Sequence, residues 1–419
     1  MLISRPRGTN DILPGDAGKW RHAEATFREV CRRYSYGEIR TPVFEHTELF
    51  QRGVGESTDI VQKEMYTFTD RGNRSITLKA EGTAPTVRAY LENKLHADPQ
   101  PVKMFYICPI FRYERPQAGR LRQHHQLGVE AIGSAQPSVD VETIALAMDF
   151  FEMVGLRGLE VRLNSIGCPR CRSAYRERLV KYLSAKEGLC PDCSRRLVQN
   201  PLRVLDCKRP ECRALVQDSP AMGDYLCDEC SVHLAHVQEY LGGLQVPFDL
   251  DPHLVRGLDY YTRTVFEIVH GALGAQGSVC SGGRYDGLAQ ECGGPPTPGV
   301  GFGLGIERLI MALEGSGVSL PGQEEAQCFV AMAGDRGCDA VTLVRDIRRH
   351  GIQAEMDHMD RSLKAQMRHA GRLGVRYTVI VGDEEAIKRR ALVKEMASGQ
   401  QEEVPFDKVG SFIAERIGV

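Results

Sequence analysis

Eight of the chain's fourteen cysteines fall between Cys168 and Cys230. Cys168/Cys171, Cys190/Cys193 and Cys227/Cys230 have CxxC spacing, and Cys207/Cys212 have CxxxxC spacing. A CxxC turn can aim two thiolates at one tetrahedral ion, so eight ligands would supply two Zn2+ sites of four cysteines each. Four thiolates close the coordination sphere, which makes such a site structural rather than catalytic. Burial of free thiols as small apolar side chains is the alternative. Four short-spaced pairs in one segment are hard to produce by packing alone, but spacing does not say which pairs share an ion.

A second set joins arginine and carboxylate to glycine or aromatic residues: FRYERPQAGR at 111–120, LVRGLDYY at 254–261 and GLGIERL at 303–309, with EGTAPTVRA at 81–89. Arginine's planar fork suits polyphosphate, glycine admits a ligand close to the backbone, and carboxylates hold amino groups. One such segment carries little weight. Four in order form a specific constellation.

The elements that must position these residues can be read from periodicity. With 419 residues, 42% hydrophobic and 26% charged, the chain should fold into two or three ordinary globular domains. Apolar residues recur at helical spacing over Lys19–Tyr34 and again over Val139–Val154. EIRTPVFE (38–45) and LEVRLN (159–164) read as extended, as does LVRGLDYYTRTVFEIV from Leu254.

KMFYICPIFRYE and HHQLGVEAIG, separated by RPQAGRLRQ, read as a hairpin over 103–133. Alternation puts Arg112 and Glu114 on one face, and Gln126 and Glu130 opposite Leu127, Val129 and Ala131. Alternation alone favours a solvated polar face. If the loop brought both polar faces together, these four residues would line one small floor.

In GVGFGLGIERLIMAL (299–313), glycines alternate before a helix-compatible run. It is not a dinucleotide fingerprint, because Leu304 and Ile306 stand where its third glycine would fall. GDAGKW is not a phosphate loop either, since Leu13 stands where its first glycine is needed. The polar stretch VSLPGQEEAQ (318–327) marks a domain boundary before the strand CFVAMA and a compact α/β domain.

No apolar run approaches the roughly 20 residues that span a bilayer, and Arg5 and Pro6 precede any signal-peptide core. A soluble cytoplasmic protein is expected. The net charge of −2 supplies no global field for nucleic acid, so such binding would use local basic clusters.

Over nearly its whole length the chain resembles the histidyl-tRNA synthetase family of class II aminoacyl-tRNA synthetases. The three class II motifs resemble GEIRTPVFE, FRYERPQAGRLRQHHQLGVEAIG and GVGFGLGIERL. LVRGLDYY and SGGRYDGL are similar to the two histidine signatures, and RGTNDILP and DIVQKEMYTFTD to the family's N-terminal pattern.

The resemblance implies an α+β fold: an antiparallel sheet flanked by helices, an inserted and mostly helical Cys-rich domain, and a C-terminal α/β anticodon-binding domain. The expected domains are 1–167 and 246–322 (catalytic), 168–245 (insertion) and 325–419 (anticodon-binding). It further implies a homodimer formed through the first motif. ATP with Mg2+, L-histidine and the tRNA for histidine are the implied substrates and partners.

Roles follow by resemblance. Arg112 binds the α-phosphate and Arg308 the γ-phosphate, Glu114 lies near the adenine amino group, and His124 stacks on adenine. Arg256 touches both α-phosphate and substrate carboxylate, which with Arg112 makes it catalytic. Glu81, Thr83 and Gln126 hold the α-amino group, Glu130 and Tyr261 read the imidazole, and Tyr260 and Tyr285 complete the histidine pocket. Lys79, Ala80 and His124 depart from the family's usual Arg, Pro and Phe.

Arg115, Gln117, Arg120 and Arg122 are expected to meet the acceptor end of tRNA. Arg361, Lys364, Arg368, Arg372 and Arg376 would form a basic stripe on one helix, by itself a solvated face and by resemblance a tRNA contact. Two rival readings are the inactive paralogue that serves as regulatory subunit of ATP phosphoribosyltransferase, and a zinc-dependent nucleic-acid-binding module on the same scaffold. The first should lack the ATP-binding arginines and the C-terminal domain.

Overall fold

The computed structural model describes residues 2–271, 277–322 and 325–418. Two compact units result, Met1–Gly322 and Gln323–Val419. Gln323 and Glu324, within the stretch read as a boundary, lie outside the described residues.

The strands of the first unit are β1 (Gly37–Glu38), β2 (Phe44–His46), β3 (Thr67–Thr69), β4 (Ser75–Leu78), β5 (Val102–Phe111), β6 (Gln123–Ile132), β7 (Leu159–Ser165), β8 (Phe248–Leu250), β9 (Thr262–His270), β10 (Ser278–Arg284) and β11 (Gly299–Gly305). Eight of them form one sheet in the order β1-β5-β6-β11-β10-β9-β7-β8. Its interior pairs are antiparallel, with parallel pairing at the two edges, β1 to β5 and β7 to β8. The small sheet β2-β4-β3 lies apart from it. The hairpin β5–β6 runs in unbroken register from Val102↔Ile132 to Phe111↔Gln123.

Alternation decides which face of this sheet is covered. Leu127, Val129 and Ala131 of β6, Phe105 of β5, Phe302 and Leu304 of β11 and Phe266 of β9 enter one core with the helices Pro14–Arg33 and Pro137–Met153. The first helix contributes Ala23, Phe27, Val30 and Cys31, spaced three or four apart and hence on one face. Phe27 stands edge-on to Phe105, Phe150 and Phe302, at ring-centroid distances of 5.8, 5.2 and 6.5 Å. A fully buried side chain of this kind contributes about 1.5–3 kcal/mol, which fixes the helices to that face and leaves the other face open for chemistry. Both helices begin earlier than periodicity suggests because proline starts them, where its missing N–H costs nothing.

Two extended readings are corrected. EIRTPVFE divides at Pro42, with β1 joining the large sheet and β2 the small one. Residues 254–261 are not strand. Asp259 donates its N–H to the Val54 carbonyl and accepts from Ser57 and Asn200, so contacts to another loop replace ladder bonds and the strand starts only at Thr262.

The cysteine-rich segment is mostly helical: Pro169–Ser184, Pro191–Gln199, Pro210–Val216 and Asp228–Gly243. In the second unit, β12 (Cys328–Met332), β13 (Ala354–Met356), β14 (Tyr377–Val381), β15 (Arg390–Glu395) and β16 (Gln401–Pro405) form a sheet in the order β13-β12-β14-β15-β16. Helices Gly337–Arg349 and Val409–Ile417 bury Leu343, Val344, Ile347 and Ile413 against it. Among the described residues no helix is long and apolar enough to cross a membrane.

Candidate active site

On the open face of the large sheet, β6 presents His124, Gln126, Gly128 and Glu130, the parity opposite to its core residues. The face is only partly solvated: Glu130 is fully buried, while His124 and Gln126 are half-buried. The reason lies in the neighbouring strand, whose residues of matching parity are Gly299, Gly301, Gly303 and Gly305. A Cβ at Gly301 would stand 2.0 Å from Glu130 Oε2 and 2.3 Å from the Val129 carbonyl oxygen. At Gly303 it would stand 1.9 Å from Gln126 Nε2, and at Gly299 2.3 Å from the Tyr285 ring. The pocket side chains therefore lie flat across a strand that has none of its own on that side. On the opposite flank, Tyr106 of β5 lies over Gly128, where a Cβ would come within 2.4 Å of its ring.

Glu130 accepts hydrogen bonds from Tyr285 Oη (2.5 Å), Thr83 Oγ1 (2.7 Å) and Tyr106 Oη (3.2 Å). Burial pushes its carboxyl up to about 8 despite these donors, which pull the other way. A carboxyl and two phenols thus face the pocket.

Glu81 sits just before the helix Thr83–Glu92 and accepts the N–H groups of Thr83 (2.7 Å) and Ala84 (2.6 Å). This carboxylate caps a helix N-terminus and so is favoured by its dipole, though burial keeps its pKa above the usual range. Tyr260 Oη reaches it at 3.4 Å, and the Tyr260 ring lies 4.7 Å from Tyr261 and 5.8 Å from Tyr285, centroid to centroid. Gln126 Oε1 is buried with no hydrogen-bond partner among the described residues, an acceptor suited to an ammonium group.

SGGRYDGL acquires a physical account. A Cβ at Gly282 would meet the Gly301 carbonyl oxygen at 2.3 Å, and one at Gly283 the Thr264 carbonyl oxygen at 2.6 Å. Arg284 is wholly buried and forms a forked pair with Asp140 (2.5 and 3.1 Å), which anchors the strand end that delivers Tyr285 to Glu130.

Beside this pocket stand the arginines. Arg256 is ion-paired with Glu267 of β9; burial works against its charge, but Glu267 keeps it firmly protonated. Arg112 donates Nε–H to the Ala80 carbonyl (2.8 Å), and its charge acts on both Glu81 and His124. Arg308 opens the helix Ile306–Gly315, where burial lowers its pKa, Arg120 adds to the lowering, and Glu267 and Glu114 oppose it. Burial, with help from Arg112, drives the His124 pKa down to about 3, so its ring is neutral. Glu114 accepts from Arg120 at 3.2 Å.

The sequence departures also find their places. Lys79 is buried and donates Nζ–H to Thr41 Oγ1 (2.8 Å) and the Thr41 carbonyl (3.2 Å). Ala80 packs with Phe50, Val54 and Ile60 while its carbonyl holds Arg112. Sequence reasoning missed Tyr106 and Glu267. Tyr106 has the same strand parity as Arg112, which was a usable signal; Glu267 had none, because its partner Arg256 comes from a different loop.

Arg115, Gln117 and Arg120 are exposed in the loop after β5, where Gln117 and Arg120 form an isolated bridge. Arg122 is committed differently, its guanidinium stacked 3.8 Å from the Tyr113 ring centroid. A groove of about 420 Å³ between this loop and the segment Arg5–Asn10 is lined by Arg5, Arg7, Pro116 and Gln117 among others. In the second unit the basic stripe is shorter than the sequence suggested. The helix spans Leu363–Arg372, so Lys364, Arg368 and Arg372 share an exposed face. Arg361 precedes the helix and pairs with Asp357 (2.6 Å), and Arg376 follows it near Glu395.

The cysteines resolve into two sets. Sγ atoms of Cys168, Cys171, Cys227 and Cys230 lie within 4.8 Å of one another, and so do those of Cys190, Cys193, Cys207 and Cys212. Cys168, Cys190 and Cys227 each immediately precede a helix, with Cys171, Cys193 and Cys230 in its first turn. Backbone N–H groups of Cys227 and Cys190 donate to the sulfurs of Cys171 (3.1 Å) and Cys212 (3.3 Å). Helix N-termini and N–H···S bonds both favour thiolate, and four sulfurs at this separation suit one tetrahedral ion.

Comparison with known proteins gives the family. The family model "Histidyl-tRNA synthetase" matches residues 8–187 and 203–309, and "Anticodon binding domain" matches residues 327–416. The histidine–tRNA ligase of Pelotomaculum thermopropionicum is 55% identical over 419 residues, covering 100% of this chain and 99% of its own. That of Desulforamulus reducens is 54% identical over 419 residues, covering 99% and 100%. The crystal structure of apo S. aureus histidyl-tRNA synthetase superposes with a TM-score of 0.83 at 40% identity, over 98% of this chain and 99% of that one.

Proposed function

The chain belongs to the histidyl-tRNA synthetase family, and from that premise we propose how its residues work as those of a histidine–tRNA ligase. The observation that carries the reading is the buried Glu130 carboxyl ringed by Tyr285, Tyr106 and Thr83. An imidazole has paired polar sites that such a group satisfies, whereas an apolar side chain would leave them unpaired at high cost. Glu81, Thr83 and Gln126 hold the α-amino group, Glu130 and Tyr261 read the imidazole, and Tyr260 and Tyr285 complete the pocket.

Histidine's carboxylate oxygen attacks the α-phosphorus of ATP. The bond to the bridging oxygen breaks and pyrophosphate leaves with its electron pair. No protein base is needed, so positioning and charge carry the step. Arg256 and Arg112 neutralise the crowded α-phosphate, Arg308 holds the γ-phosphate, Glu114 lies near the adenine amino group, and neutral His124 offers a flat ring to adenine. A terminal ribose hydroxyl of the tRNA then attacks the histidyl carbonyl carbon, and AMP departs. Mg2+ would supply charge neutralisation for the leaving pyrophosphate, and Glu114 and Glu267, the carboxylates in the field of Arg308, would hold it.

The regulatory-subunit alternative is not favoured, since relatives above 50% identity across the whole chain are ligases and the C-terminal unit matches an anticodon-binding model. We further propose a cytoplasmic homodimer whose two cysteine sets each hold one structural Zn2+. Metal analysis of fully reduced protein purified without added zinc should return about two ions per chain. A value near zero would reject the metal.

Histidine-dependent exchange between ATP and pyrophosphate tests the ligase reading. A panel of amino acids should show exchange with histidine alone, and its absence from folded protein would reject it. His124→Phe should shift the KM for ATP by about threefold to tenfold, less than the loss of a whole base–aromatic stack because both rings are flat, and leave the KM for histidine unchanged. An unchanged ATP requirement would remove His124 from the adenine site. Arg368→Glu should weaken tRNA binding and reduce by about one the slope of log affinity against log salt. Titrations at several salt concentrations check this, and unaltered binding would reject the contact.

A further inference from the structure

We infer that an ion held by Cys190, Cys193, Cys207 and Cys212 positions the loop Arg256–Tyr261, and so couples a metal centre to the histidine pocket. The inference rests on the ligase reading for the meaning of that loop, and on separate contacts for the link. Cys190 and Cys193 begin the helix Pro191–Gln199. From this helix Arg196 donates to Asp59 Oδ2 (2.7 Å), and just past its end Asn200 Nδ2 donates to Asp259 Oδ1 (2.7 Å). The following turn, Pro201–Val204, supplies Arg203, which is 7% exposed and donates to Asp59 Oδ2 (2.9 Å) and to the Gly257 carbonyl (3.1 Å). Cys207 and Cys212 then return the chain to the cluster.

Segment 190–212 is thus a loop tied at both ends by four sulfurs, with three donors at its middle. Those donors grip Asp59, Gly257 and Asp259, and Asp259 also accepts from Ser57 Oγ (2.5 Å). Gly257 follows Arg256, and Asp259 precedes Tyr260 and Tyr261. Without the ion, the ends of the loop gain conformational freedom, and each donor must be ordered anew whenever histidine binds. With it, the donors are held in advance and the arginine and tyrosines are presented in one geometry.

The test uses full-length protein and three readouts: metal content, amide hydrogen exchange over 255–261, and exchange kinetics. Asn200→Ala leaves the sulfurs untouched. It should keep the wild-type metal content, speed hydrogen exchange over 255–261, and raise the KM for histidine about tenfold, the scale of losing a hydrogen bond to a charged group. Cys212→Ser should lose one ion and show the same two effects. Wild-type protection and KM in Asn200→Ala would overturn the link, as would a full complement of metal in Cys212→Ser. Should the cysteine variant fail to fold, Asn200→Ala decides alone. Loss of all exchange activity in the wild type would reject the ligase reading, while metal content and amide protection would still test the coupling.

Discussion

Arg256→Ala should lower the turnover of histidine-dependent pyrophosphate exchange by about a thousandfold, or roughly 4 kcal/mol of activation free energy. In the proposed mechanism the guanidinium is one of the charges that neutralise the α-phosphate, and removing one such donor from a preorganised site costs about 10²–10³ in rate. A second contribution comes from Glu267. Its partner gone, this carboxylate would add negative charge where negative charge must develop. Arg256→Lys would keep the charge but not the fork that serves Glu267 and phosphate together, so it should recover only part of the rate. Steady-state exchange on protein with a native melting curve measures both variants. A rate for Arg256→Ala within threefold of wild type would remove Arg256 from the chemistry.

Gly301→Ala should raise the KM for histidine about a hundredfold while leaving that for ATP near wild type. The added carbon would stand 2.0 Å from Glu130 Oε2, which could swing aside, but also 2.3 Å from the Val129 carbonyl oxygen, which belongs to the ladder between β6 and β11. Either the strands part or Glu130 leaves its three donors, and overpacking of this kind costs about 1–3 kcal/mol of stability. Gly305→Ala is the internal control, because its Cβ would meet nothing within 4 Å and the fold should tolerate it. Equal melting temperatures and equal histidine KM values for the two variants would contradict this account.

These positions also show what could be read from the sequence and what could not. Period-two alternation located β5 and β6 and sorted their faces, because a half-buried antiparallel pair must alternate. It could not reveal that the polar face was buried at Glu130, since alternation records parity and not what lies over a strand. The signal for that was in β11, where glycine at every second residue matches the side chains laid across it. Arg256 shows the opposite limit. Its segment reads as extended from its β-branched and aromatic neighbours, yet Asp259 is satisfied by Ser57 and Asn200, residues far away in sequence. Tertiary bonds of that kind leave no periodicity. The cysteine sets have the same character: spacing defines pairs, but only the return of the chain into the helix Asp228–Gly243 puts Cys227 and Cys230 beside Cys168 and Cys171.

The bare strand under the pocket sets a direction for any redesign of amino-acid choice. Enlarging a binding cavity ordinarily means trimming whatever lines it, but Gly299, Gly301 and Gly303 offer nothing to trim. Room for a bulkier amino acid must come from Glu130, Gln126 or Tyr285, which are the groups proposed to recognise histidine. In this scaffold, broader acceptance and lost discrimination come from the same substitutions.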